Sequence, residues 1–128
     1  MNAWRPEYDE LIQQARNIIA ARYKPDWHHV GAALLTRSGA RFAAVHIEAY
    51  VGRVTVCAEA VAVGMAATAG DTDIEAVVAV YHDGRIVSPC GMCRELLADY
   101  APSCVVIVGE QETVPIPDLI PRKYVRGV

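Results

Sequence analysis

Three cysteines and one glutamate carry the reactive potential of this chain. Cys57-Ala58-Glu59 is followed, thirty-three positions after its cysteine, by Pro89-Cys90-Gly91-Met92-Cys93. Cys90 and Cys93 stand three apart, so at a helix start both sulfurs lie on one side of the first turn and reach one ion. A helix N-terminus also favours the thiolate form that a metal requires. Three thiolates leave the fourth tetrahedral position of Zn²⁺ to water, the arrangement of a catalytic rather than a structural site. Glu59, two residues past the first ligand, is near enough to serve such a water without ligating. It can take a proton and deliver it to a ring nitrogen and a departing amine, which is the chemistry of hydrolytic deamination. A lone Cys-x-x-Cys is weak evidence, but its pairing with an upstream Cys-x-Glu leaves little room for chance. The fourth cysteine, Cys104, sits beside Val105, Val106 and Ile107 and reads as a buried apolar residue.

The elements that must hold these residues can be read from periodicity. Residues 6–22 place Leu11, Ile12, Ala15, Ile18 and Ile19 at helical spacing behind Pro6. His28 to Thr36 and Arg41 to Glu48 are β-prone runs joined through Ser38-Gly39, a hairpin. Cys57 to about Ala69 is rich in Ala, Val and Met and stops at Gly70, so it reads as a buried helix. Ile74 to Tyr81 and Ser103 to Val108 are apolar runs of interior strands, and Gly91 to Tyr100 between them is a second buried helix ending before Pro102. The tail carries Pro115, Pro117 and Pro121 and supports one short helical turn at most. The order helix, two strands, helix, strand, helix, strand predicts a mixed sheet with helices on both faces, a three-layer α/β/α arrangement.

At 128 residues the chain suits a single domain, 1–128, with one main site. A composition 53% hydrophobic and 21% charged belongs to a globular protein, and no run approaches the ~20 apolar residues of a membrane span. The opening residues lack the basic-then-apolar pattern of a signal peptide, so a cytoplasmic location is expected. A net charge of −3 favours small substrates over nucleic acid. The basic stretch Arg122-Lys123-Tyr124-Val125-Arg126 reads as a solvated tail.

With these motifs in place, the chain resembles the cytidine deaminase family, including its small blasticidin S deaminase branch. The resemblance runs from Val30-Gly31-Ala32-Ala33-Leu34-Leu35 through Cys57-Ala58-Glu59 and Ser88-Pro89-Cys90-Gly91-Met92-Cys93-Arg94 to the proline-bearing tail. It implies a mixed five-stranded sheet within the α/β/α fold, one Zn²⁺ per chain on Cys57, Cys90 and Cys93, and Glu59 as the catalytic residue. It also implies a homotetramer and a cytosine-nucleoside substrate bound by His28, His46, Glu48, Ala58 and Tyr124.

The pocket departs from the family pattern. Members acting on cytidine usually end the second strand in Asn-x-Glu, where this chain has His46-Ile47-Glu48, and carry Phe where His28 stands. Arg often follows the catalytic glutamate and offsets the thiolate charge; here that residue is Ala60, and Arg94 is the candidate for charge balance. Two readings of the substrate stay open, cytidine or deoxycytidine and a blasticidin S-type or modified nucleoside. A non-catalytic zinc module is the reading from another class; it requires Cys104 to close the metal shell or Glu59 to face away.

Overall fold

The structure is a computed structural model that describes residues 4–127. The first helix, α1 (Pro6–Arg22), opens on a proline at its first position, with Glu7 and Asp9 in its first turn and Arg22 in its last, charges that suit the helix dipole. Its apolar stripe buries Tyr8, Leu11, Ile12, Ala15 and Ile19. The hairpin follows as β1 (Val30–Thr36) and β2 (Arg41–Val45), then α2 (Ala58–Thr68), β3 (Ile74–Tyr81), β4 (Ile86–Val87), α3 (Gly91–Tyr100), β5 (Val105–Gly109) and β6 (Glu112–Pro115). Two 3₁₀ turns, Gly52–Val54 and Ile116–Leu119, complete the described chain.

The strands lie in the order β2-β1-β3-β5-β6, with β4 paired to β3 off this path. Only β3 and β5 run parallel, joined through α3; all other pairs are antiparallel. The expected five-stranded sheet therefore has six strands, because the two-residue β4 adds a rung opposite Ala79 and Val80. Alternation along the central strands sends side chains to two faces. Ala33, Leu35, Ala76, Val78, Val80, Val105 and Ile107 pack under α1. Leu34, Val77 and Val106 face α2 and α3, where Ala62, Val63, Ala66, Leu97 and Cys104 meet them. This is the α/β/α sandwich expected. The layers approach closely at Gly31, where a β-carbon would stand 2.6 Å from the Ala15 carbonyl oxygen and 2.9 Å from Ile19 Cβ. The glycine lets α1 lie directly on β1.

Several boundaries differ from those expected. β1 starts at Val30 instead of His28, because Lys24–His28 forms a tight turn of its own, with Asp26 at φ 70° and the His28 N–H donating to the Lys24 carbonyl. β2 stops at Val45 instead of Glu48, because Ile47 pairs with Val56 across the 49–55 excursion. β5 begins at Val105 instead of Ser103. The helix stop at Gly70 is a Schellman closure: Gly70, at φ 80°, donates to the Ala67 carbonyl and Asp71 to that of Ala66.

Candidate active site

Both halves of the cysteine motif sit at helix N-termini. Cys57 is the N-cap of α2 and Cys90 the N-cap of α3, each extended, and neither side chain caps its helix. Their sulfurs turn instead toward each other, 3.5 Å apart, and Cys93 in the first turn of α3 joins them. The three Sγ atoms lie within 4.8 Å of one another. A tetrahedral site with Zn–S bonds of ~2.3 Å needs sulfurs roughly 3.8 Å apart, so the donor set fits one such ion. Cys104 does not belong to this group; it is fully buried among the residues between the sheet and α3, and that burial pushes its thiol pKa up to about 12.

The crowding is visible in the acidities. Burial raises the pKa of Cys57, with the Cys90 thiol adding to it, and burial together with the Glu59 charge raises that of Cys93. Burial opposes ionisation of Cys90 too, but the Cys93 and Met92 backbone N–H groups and the neighbouring thiols outweigh it and lower its pKa. One thiolate is thus favoured at the helix start, and a divalent cation relieves the repulsion that ionising the other two creates. Glu59, in the first turn of α2, is 5% exposed. Burial raises its carboxyl pKa, against its own backbone N–H and Cys93, which favour the charged form. A carboxyl raised in this way holds a proton more readily than an exposed one, which suits a group that accepts and returns protons.

These groups open on a cavity of about 190 Å³. It is lined by Cys57, Cys90, Glu59 and Ala58, by the polar residues His46, Thr55 and Ser88, and by the apolar Val30 and Val87. His46 is fixed with unusual completeness. Its Nδ1 accepts from the His29 N–H at 2.8 Å and the Val30 N–H at 3.3 Å, so the proton is on Nε2, which faces the Glu48 carboxylate at 3.4 Å. Burial lowers the His46 pKa, and His29 and His28 lower it further against the pull of Glu48. The ring is a neutral donor. Thr55 Oγ1 donates to Glu48 at 3.3 Å and ties that carboxylate to the cavity wall.

Of the candidate site residues, Cys57, Ala58, Glu59, Cys90 and His46 line the cavity, Cys93 completes the thiol group behind it, and Glu48 stands beside His46. His28 does not line it: its Nδ1–H donates to the His46 carbonyl at 2.9 Å, one layer back, since the strand it was expected to occupy begins two residues later. Tyr124 is 74% exposed and lies beside Glu95, Asp99 and Tyr100, outside the cavity. The Arg94 guanidinium donates to two backbone carbonyls, those of Pro89 and Leu119. Thr55 and Ser88 were not singled out from the sequence. The available signal was their position: each is a hydroxyl residue two places before a helix-capping cysteine.

A three-thiol cluster and a buried carboxyl, presented by two helix starts on one face of a mixed sheet, define a zinc-dependent hydrolytic deaminase acting on C–N bonds. Residues 6–109 match the cytidine and deoxycytidylate deaminase zinc-binding region, and the chain belongs to that family. It is 49% identical to a blasticidin-S deaminase of Bacillus cereus over 92% of each chain. It is 31% identical to a cytidine deaminase of Halalkalibacterium halodurans over 89% of this chain and 91% of that one. Its fold superimposes on the crystal structure of cytidine deaminase from Mycobacterium tuberculosis with a TM-score of 0.85 and 25% identity, covering 95% of this chain and all of the other.

Proposed function

We propose that this enzyme hydrolyses the exocyclic amino group of a cytosine nucleoside or nucleoside-like compound, with Cys57, Cys90 and Cys93 as the metal ligands and Glu59 as the proton carrier. The observation that carries the proposal is the shared cavity: two of the thiols, the buried carboxyl and a neutral histidine donor all face one space of about 190 Å³. Zn²⁺ held by Cys57, Cys90 and Cys93 would supply the Lewis acidity that makes a water nucleophilic near pH 7. Glu59 takes a proton from the attacking water as its oxygen adds to ring carbon four and passes that proton to the adjacent ring nitrogen. It then carries the remaining hydroxyl proton to the amine, so that the C–N bond breaks, a carbonyl forms and ammonia leaves. Burial of Glu59 keeps this shuttle from leaking protons to solvent. Ala58, Val30 and Val87 offer the base apolar contact, while the His46 Nε2–H and the Glu48 carboxylate offer a donor and an acceptor to the sugar or its replacement.

Within this class a blasticidin S-type nucleoside is the favoured substrate. The 49% identity to a blasticidin-S deaminase supports it, as do His46 and Ala60, which stand where cytidine-type members carry Asn and Arg. Free cytidine is the second reading, supported by the retained Glu48. Buried Cys104 and inward Glu59 speak against a non-catalytic zinc module.

Among the described residues no helix is long and apolar enough to cross a membrane, and we place the enzyme in the cytoplasm. We also propose a homotetramer. α2 is apolar but for Glu59 and Thr68, yet Met65 is 42% exposed, in a shallow apolar surface with Phe42, Val61 and Gly64. Tyr50, Val51 and Val54 are exposed on the segment leading to the cavity wall. Surfaces of this kind suit burial against another copy.

The test is ammonia release from cytidine, deoxycytidine and blasticidin S by the zinc-loaded enzyme beside an E59A control. Release from one of them that vanishes in the control supports the mechanism and identifies the branch. No release from any of the three, with zinc bound, overturns the substrate class.

A further inference from the structure

Arg94 makes an unusual set of bonds. Its backbone N–H donates to the Cys90 carbonyl at 3.0 Å, as the first bond of α3, while its Nε donates to the Pro89 carbonyl at 2.9 Å. One residue therefore holds two consecutive carbonyls, and the peptide planes on both sides of Cys90 are fixed together. Those planes set where Cys90 points its sulfur. The same guanidinium donates through Nη1 to the Leu119 carbonyl at 3.1 Å, at the end of the last 3₁₀ turn. Four residues on, Lys123 grips the other end of α3 through Asp99 at 2.7 Å and Glu95 at 3.5 Å. The chain after β6 is thus strapped along α3, and Arg94 is the point where the strap meets the metal-binding turn.

We infer that Arg94 is a positioning residue: it locks the Pro89–Cys90 turn in the metal-binding geometry by bridging the carbonyls of Pro89 and Leu119, rather than by lending positive charge to the thiolates. The inference rests on the zinc-deaminase reading above. It follows from the planar fork of Arg, whose Nε–H and Nη–H point at two fixed acceptors at once; a Lys ammonium places one charge at the end of a flexible stem and cannot hold both. Residues that orient metal ligands in this way typically change metal affinity ~10–100-fold when replaced.

The experiment compares parent, R94K, R94Q and the strap control K123M. Zinc affinity is measured by competition with a chromophoric chelator, and the cobalt-substituted proteins are compared by their thiolate-to-metal and d–d absorption bands. The expected result is that R94K and R94Q both lose about tenfold or more in zinc affinity with shifted cobalt bands, while K123M matches the parent. The conclusion rests on R94K, which keeps stem and charge, even if R94Q folds poorly. Parent-like affinity and spectrum in R94K overturn the inference: with R94Q impaired the role is charge compensation, and with R94Q unimpaired Arg94 has no part in the site. Loss in K123M equal to that in R94K also overturns it, since the strap as a whole would then be responsible. These readouts need no turnover, so a parent that binds zinc but releases no ammonia fails the deaminase reading without touching this one.

Discussion

His46 does two separable jobs, and a pair of substitutions tells them apart. Its Nδ1 terminates the His29 and Val30 N–H groups where β1 begins, and its Nε2–H faces Glu48 and the cavity. Asn places a carbonyl oxygen at the same bonded distance from the backbone as Nδ1 of His, whereas Leu places a methyl there. H46N can keep the backbone bonds and loses the reach of Nε2; H46L loses both. An unpartnered buried N–H costs about 1–3 kcal/mol. The Val30 bond is long, so the total expected for H46L is about 2–3 kcal/mol, or a Tm lower by roughly 6–12 °C in a chain of this size. H46N is expected within about 1 kcal/mol of the parent, with an impaired KM for its present substrate and a rise in cytidine turnover relative to it, because the family's Asn-x-Glu pattern is then restored. The pH dependence separates them further. Burial depresses the His46 pKa below its ordinary 6.5, so the unfolded chain binds the proton first and stability falls as pH drops below about 6.5. That acid limb, at most about 1.4 kcal/mol per pH unit for one proton, is expected to be missing in both variants. Thermal unfolding at pH 7.5 and 5.5, zinc-saturated and at fixed protein concentration, with steady-state kinetics alongside, is the assay. An H46L protein that melts with the parent, or an H46N protein as unstable as H46L, refutes the division of labour.

Other outcomes follow from the packing and the metal centre. G31A drives a methyl into the Ala15 carbonyl and Ile19, and a loss of about 1–3 kcal/mol is expected in urea unfolding; an unchanged midpoint would mean that α1 is free to shift. Removing the metal with a chelator should abolish turnover and lower the Tm, with both restored by Zn²⁺; activity that survives in metal-free protein contradicts the mechanism. If the proposed oligomer uses the exposed apolar face of α2, M65E should shift the sedimentation coefficient toward smaller species, while an unchanged value would mean that this face is not a subunit contact.

What was legible in the sequence is what local physics dictates. Pro6–Arg22, Ile74–Tyr81 and Gly91–Tyr100 have the expected bounds because each combines a period or a continuous apolar run with a proline, glycine or capping stop. The three-cysteine cluster was legible for the same reason, since each half of the motif is local. β4 and β6 were not: Ile86–Val87 is too short to show alternation, and Glu112–Pro115 becomes a strand only through pairing with β5 after a turn that puts Gln111 at φ 59°. The cavity wall was half legible. His46 and Glu48 were marked by resemblance, but Thr55 reaches the site through the excursion that pairs Ile47 with Val56, a contact no periodicity announces. His28 failed in the other direction: a β-prone sequence around it lost to the turn set by Pro25 and Asp26.

Cys57, Cys90, Cys93 and Glu59 stand at the starts of two helices embedded in the sandwich, while His46, Glu48 and Thr55 come from chain that leaves the sheet after Val45. The reactive groups and part of the cavity lining therefore stand on different parts of the fold. Substitutions in the exposed residues 50–54 are expected to alter that lining with the least effect on the spacing of sulfur and carboxylate. A designer wishing to retarget the cavity should begin there.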